Sequence, residues 1–167
     1  MKLIFEASGP FKVCLYKGKN GRILRSAEAN EFFKKHQAIG KKRGCYIHAI
    51  RSGGGIKPVY VGKATKKFSQ ECFATHKIGK CNEALVDYEK GSLVVLFLEA
   101  PTGKGRPNAK QIGFLEKFLI QAAIGVNADL LNVKGTKQAE WSIKGVIRSK
   151  KGKPSSSAAA LKRVLAV

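Results

Sequence analysis

Carboxylates are scarce in this chain: 11 Asp and Glu stand against 32 Lys and Arg in 167 residues, a formal charge of +21. Only two are aspartates, Asp87 and Asp129, so a two-metal site built from clustered aspartates is poorly supplied. Arginine is also short, 7 against 25 lysines. Lysine meets phosphate as a point charge rather than as a planar fork for base edges, so backbone contacts should dominate over base readout. The four cysteines, Cys14, Cys45, Cys72 and Cys81, form no C-x-x-C pair. A chain of this size does not need disulfides, and a reduced, cytoplasmic setting is expected. No apolar run approaches the about 18 residues of a membrane span, and residues 1–6 hold too short an apolar run for a signal peptide, so a soluble protein with no membrane partner is expected. No internal repeat is visible.

What is present in excess is positive charge, far beyond what solubility requires, and it implies a polyanionic partner. Nucleic acid leads, with DNA placed ahead of RNA; a merely basic protein that binds anions or sits inside a ribonucleoprotein is the other reading. The length fits a single domain over residues 1–167, divided into an N-terminal extension 1–40, a core 41–134 and a C-terminal extension 135–167. Residues 11–25 read as two short strands about the Asn20-Gly21 turn, and Ser26 as the cap of a helix over about 27–37. Strands follow over 45–50, 59–62 and 93–99, the last a continuous apolar run that should be buried on both faces. Helices are predicted from about 69, over 109–124 after Pro107-Asn108, and after Ser155–Ser157 through 164. Residues 132–149 around Trp141 are mixed strand and loop, and 150–154 a basic linker.

The first chemical candidates are two tyrosines on adjacent strands, in Gly44-Cys45-Tyr46 and Tyr60-Val61-Gly62, joined by the turn 51–55. Aromatic residues are favoured in strands, and a hairpin pair often simply packs across the ladder. Gly62 is followed by Lys63, Lys66 and Lys67, and glycine admits a close backbone approach while lysines supply phosphate contacts. Glu116 is the second candidate. At about 100° per residue, Ile112, Leu115, Leu119, Ile120, Ala122 and Ala123 share one face of the 109–124 helix, and Glu116 falls within it. A carboxylate there is either a metal-ligand or catalytic group, or a glutamate bonded to a backbone amide or a lysine at the core's edge. Cys72, His76 and Cys81 are close in sequence, yet a fourth zinc ligand is not evident and their spacing matches no common site.

In order, these residues resemble the paired signature of the GIY-YIG nucleases over about residues 44–132. The resemblance implies an α+β fold, a small three-stranded antiparallel sheet flanked by helices, extended here by the N-terminal hairpin and helix and by C-terminal helix. It implies a metal-dependent nuclease in which Tyr46 and Tyr60 meet the phosphodiester, Glu116 binds Mg2+ or Mn2+, His76 matches the family's histidine, and Asn132 lies near the site on nucleic acid. One part is missing. Where the family places a phosphate-stabilising arginine this chain has Gln70, Glu71 or Cys72, none of them cationic. Removing such a donor typically costs about a hundredfold or more in rate. Either a lysine substitutes, with Lys67 in the catalytic set and Lys63, Lys66 and Lys77 as phosphate contacts and rival substitutes, or the fold serves as a catalytically silent DNA- or RNA-binding module.

Overall fold

The computed structural model describes residues 3–103, 107–137, 143, 144, 146 and 155–165. The chain falls into two compact units, Met1–Thr136 and Lys137–Val167. Trp141 and the basic run 150–154 lie outside the described residues. In the second unit the helix expected after the serines is α6, Ser156–Leu165, and Ser155 Oγ accepts from the Ala158 amide at 3.2 Å as its cap.

The first unit is α+β and runs β1 (Glu6–Lys12), β2 (Tyr16–Gly18), β3 (Gly21–Ile23), α1 (Ser26–Lys35), α2 (Gln37–Gly40), β4 (Gly44–Ser52), β5 (Gly55–Ala64), α3 (Phe68–Glu71), α4 (Thr75–Asp87), β6 (Ser92–Glu99) and α5 (Ala109–Val126). Its main sheet is antiparallel in the order β1-β6-β4-β5, and β2 and β3 form the separate N-terminal hairpin. The sheet therefore has four strands, not the three expected. The added strand, β1, reads Glu-Ala-Ser-Gly-Pro-Phe-Lys, and Gly9-Pro10 interrupts its alternation. Pairing with β6 shifts register between Ser8 and Phe11, so a bulge absorbs the two residues that hid the strand. β6 is central; Leu93, Val95 and Phe97 are fully buried on one face, whereas on the other Val94 is buried and Leu96 and Leu98 only partly, so burial on both faces is met in part.

Strands β4 and β5 close through Gly53-Gly54, since Ser52 pairs with Gly55, which is the two-residue loop that glycines permit. Strand alternation then divides the side chains. Tyr46, Tyr60, Val95 and Phe97 pack with Phe32 of α1, Phe68 of α3 and Cys81, Ala84 and Leu85 of α4 in the larger core. Ile47 and Val61 pack on the opposite face with Leu119, Ile120 and Ala123 of α5. A bulge beside His48 gives β5 one extra residue, so Val59 and Tyr60 both join the larger core.

Helix ends follow local chemistry with two departures. α5 opens on a capping box in which Asn108 Oδ1 accepts from the Gln111 amide at 3.0 Å and Gln111 Oε1 from the Asn108 amide at 2.9 Å. It continues past Gly125 to Val126. Ser26, expected as a cap, is the first helical residue of α1, whose cap position Arg25 bonds Glu28 at 2.6 Å instead. The helix expected from residue 69 is two, because the chain turns at Phe73-Ala74 to bury the Phe73 ring.

Candidate active site

Both motif glycines are explained by close approach. Gly44 has φ of +142°, and a Cβ there would stand 2.0 Å from the Leu98 carbonyl oxygen of the neighbouring strand. A Cβ on Gly62 would stand 2.3 Å from the Tyr46 hydroxyl and 2.4 Å from Cζ. The approach that Gly62 admits is thus that of the Tyr46 phenol, laid across β5. Tyr46 is fully buried, edge-on to Phe68, and its hydroxyl donates to the Glu71 carbonyl at 3.3 Å. Burial, then the nearby Cys72, Tyr60, Glu71 and Glu116, push its phenol pKa far above the ordinary value, so it is a neutral donor.

The same carbonyl takes a cation. Lys77, in the first turn of α4, is buried and donates from Nζ to Glu71 O at 2.6 Å, and its ammonium lies 5.0 Å from the Tyr46 ring centroid. Burial lowers its pKa, while Cys72, Glu71 and Glu116 act the other way. Of the four lysines weighed as substitutes for arginine, Lys77 is the one seated against a motif tyrosine. Lys66 and Lys67 are exposed, and the loop carrying them is tied down by the Lys66 amide donating to Glu71 Oε1 at 2.7 Å. His76 is exposed on α4, one residue from Lys77.

Glu116 is met from the other side of the sheet. α5 packs on the face opposite the tyrosine rings, and Lys63, one residue beyond Gly62 and so pointing to that face, donates to Glu116 Oε2 at 2.8 Å. This is the lysine partner that the helical wheel left open. The carboxylate nevertheless reaches both tyrosines electrostatically. Burial and then the Glu116 charge raise the Tyr60 pKa, and Glu116 is among the causes at Tyr46. The Glu116 side chain and the tyrosine rings lie on opposite faces of the sheet, so the three groups that the resemblance brings together do not meet on one face. Asn132 is otherwise engaged: its amide donates to Val61 O at 2.7 Å and its oxygen accepts from Val61 N at 2.9 Å, mimicking a neighbouring strand. The Leu131 amide adds a bond to Val59 O, and Asn127 Nδ2 donates to Pro58 O at 2.7 Å.

Among residues not singled out from sequence, His48 stands out. It lies fully buried under Tyr60 and Phe73, with Nε2 3.4 Å from Cys72 Sγ and Nδ1 3.4 Å from Cys81 Sγ. Burial lowers its pKa to about 3 and raises that of Cys81 to about 12. The two sulfurs take opposite ring nitrogens, so they do not converge on a shared metal position, and no group of three or more metal-ligating side chains occurs among the described residues. The signal was available: His48 is two residues from Tyr46 and so shares its face. Comparison of the chain with protein-family models, curated proteins and solved structures finds no match.

Proposed function

We propose that this chain is a GIY-YIG-like, metal-dependent nuclease that hydrolyses phosphodiesters in nucleic acid. The observation that carries the reading is the junction at the end of β5, where Tyr46 and the buried Lys77 share the Glu71 carbonyl while Lys63 and Glu116 pair across the strand. Lys77 takes the part of the absent arginine, as a fixed cation beside a neutral tyrosine donor. The substrate phosphate binds beyond Val61, where the edge bonds from residues 127–132 stop. Tyr60 orients the phosphate, and Lys63, Lys66 and Lys67 hold its neighbours.

A magnesium ion is compatible with the donor set. It binds through one or two carboxylates plus waters and phosphate oxygens, and Glu116 is one such carboxylate with Oε2 held by a displaceable, half-exposed lysine. Glu116 is the residue that would hold it, and what a bound magnesium supplies is Lewis-acid stabilisation of phosphoryl oxygens. Lys63 released from Glu116 turns to substrate phosphate.

The second reading, a DNA- or RNA-binding module without catalysis, is favoured by the same pair and by Tyr46, since Glu116 is already neutralised and the phenol fully enclosed. One experiment separates them. Purified chain is incubated with single-stranded, duplex and branched substrates and magnesium or manganese, beside Glu116→Gln. Metal-dependent cleavage that Glu116→Gln abolishes, with binding and folding retained, supports the nuclease. Tight binding with no cleavage of any substrate leaves the binding module.

A further inference from the structure

Helix α5 has a second face that the junction at β5 does not use. Phe114 and Phe118, one turn apart, are 59% and 68% exposed, although α5 otherwise turns Ile112, Ile120 and Ala123 into the protein. Half a turn of helix separates these rings from Glu116. Two large aromatic side chains on the outside of a helix are uncommon enough to need a reason. Their neighbours are cationic: Lys110 and Lys117 are both exposed, and the Lys110 ammonium stands 6.0 Å from the Phe114 ring centroid. On the helical wheel Lys110, Phe114 and Lys117 run along one flank with Phe118 beside them.

We infer that this outer face of α5 is a docking track for single-stranded nucleic acid, with unpaired bases stacking on Phe114 and Phe118 and phosphates meeting Lys110 and Lys117. Aromatic rings interleaved with lysines are what a single strand requires. Every base has a face to stack, every linkage has a charge to neutralise, and a duplex offers only the second. The occupant is polyanionic because the whole chain carries +21 and an anionic ligand is drawn to any of its faces. A second copy of this chain would bring the same lysines against themselves. The track stands independently of cleavage, since it lies across α5 from Glu116.

The test uses the full chain and fluorescence anisotropy with three probes of equal length: a thymidine single strand, the same strand made abasic, and a duplex. Phe114→Ala with Phe118→Ala should weaken the thymidine strand by about fivefold or more per ring. The abasic strand and the duplex should be unaffected, and the salt slope kept. Lys110→Ala with Lys117→Ala should instead lower the single-strand salt slope by about 0.7 for each lysine. Three results overturn the track: equal losses on all three probes, no loss on the thymidine strand, or a dimer in solution that the phenylalanine variant converts to monomer. A melting temperature lowered by the phenylalanine substitutions also overturns it, because the rings would then be packing against protein. Cleavage assays on the same variants keep the two proposals apart, for a chain that stacks single strands without cutting them retains the track and loses the nuclease.

Discussion

Gly62→Ala tests the packing beneath the tyrosine junction with a single methyl group. On an ordinary strand this substitution is neutral or favourable, because alanine restricts the unfolded chain and stabilises by about 0.4–1 kcal/mol where the backbone allows it. Here the new Cβ falls 2.3 Å from the Tyr46 hydroxyl, 2.4 Å from Cζ and 2.8 Å from Cε2. That ring cannot step aside, since it is fully buried, set edge-on to Phe68 and bonded to Glu71. Overpacking of this kind costs about 1–3 kcal/mol, which for 167 residues lowers the melting temperature by about 2–12 °C. The sign is therefore opposite to the generic one. Thermal and urea unfolding of Gly62→Ala, Tyr46→Ala and the double variant form a cycle. Tyr46→Ala alone is severe, about 3–5 kcal/mol by analogy with buried Phe→Ala, but adding Gly62→Ala to it should cost nothing, a coupling of about 1 kcal/mol or more. Tyr46→Phe gives no such relief, because Cζ remains. A Gly62→Ala protein with the parent's stability would refute the reasoning, for the phenol would then not rest on this backbone.

Four further outcomes follow from the same geometry. Lys63→Ala frees Glu116 from its partner, so under the nuclease reading the magnesium concentration for half-maximal cleavage falls by up to about fivefold, read from a metal titration; the pair is only part-buried, with the lysine half-exposed, and is worth about 1 kcal/mol, so the fold is kept. Lys77→Met keeps most of the packing and removes the charge, and should lower kcat by about a hundredfold while substrate affinity changes little. Asn132→Ala strips the partners from the Val61 amide and carbonyl and should cost about 1–3 kcal/mol in urea unfolding without changing the salt slope of nucleic-acid binding. His48, with its folded pKa lowered to about 3, stays neutral while an unfolded histidine protonates at its usual 6.5. The unfolded state then binds the extra proton, so stability is lost as pH falls from about 6.5 toward 3, by up to about 1.4 kcal/mol per pH unit for this group; His48→Phe flattens that slope, and ring proton shifts of the parent follow the neutral form through the window.

Local signals were legible in proportion to how local their causes are. The Gly53-Gly54 turn, the apolar run of β6 and the start of α5 after Pro107-Asn108 each act within a few residues, and each is readable. β1 was not, because a strand carrying Gly9-Pro10 is recognisable only once β6 supplies the register that a bulge can interrupt. For Glu116 the wheel placed the carboxylate on the inward face but named no partner, since Lys63 arrives from 53 residues away. Lys77 was one lysine among 25, and what distinguishes it is a carbonyl and a ring that only the folded hairpin brings beside it. Gly62 signals a close approach to its backbone, but only the folded hairpin shows that the approaching group is the Tyr46 phenol of the same molecule.

The bonds from Asn127, Leu131 and Asn132 to β5 amount to a counterfeit strand, made of one backbone amide and two side-chain amides. A true strand in that place would present its own outer edge and pass the problem of unpaired backbone outward; side-chain amides end the ladder because nothing repeats beyond them. Removal of residues 127–132 would leave β5 competent to recruit the same strand of another molecule, turning a terminated sheet into a growing one.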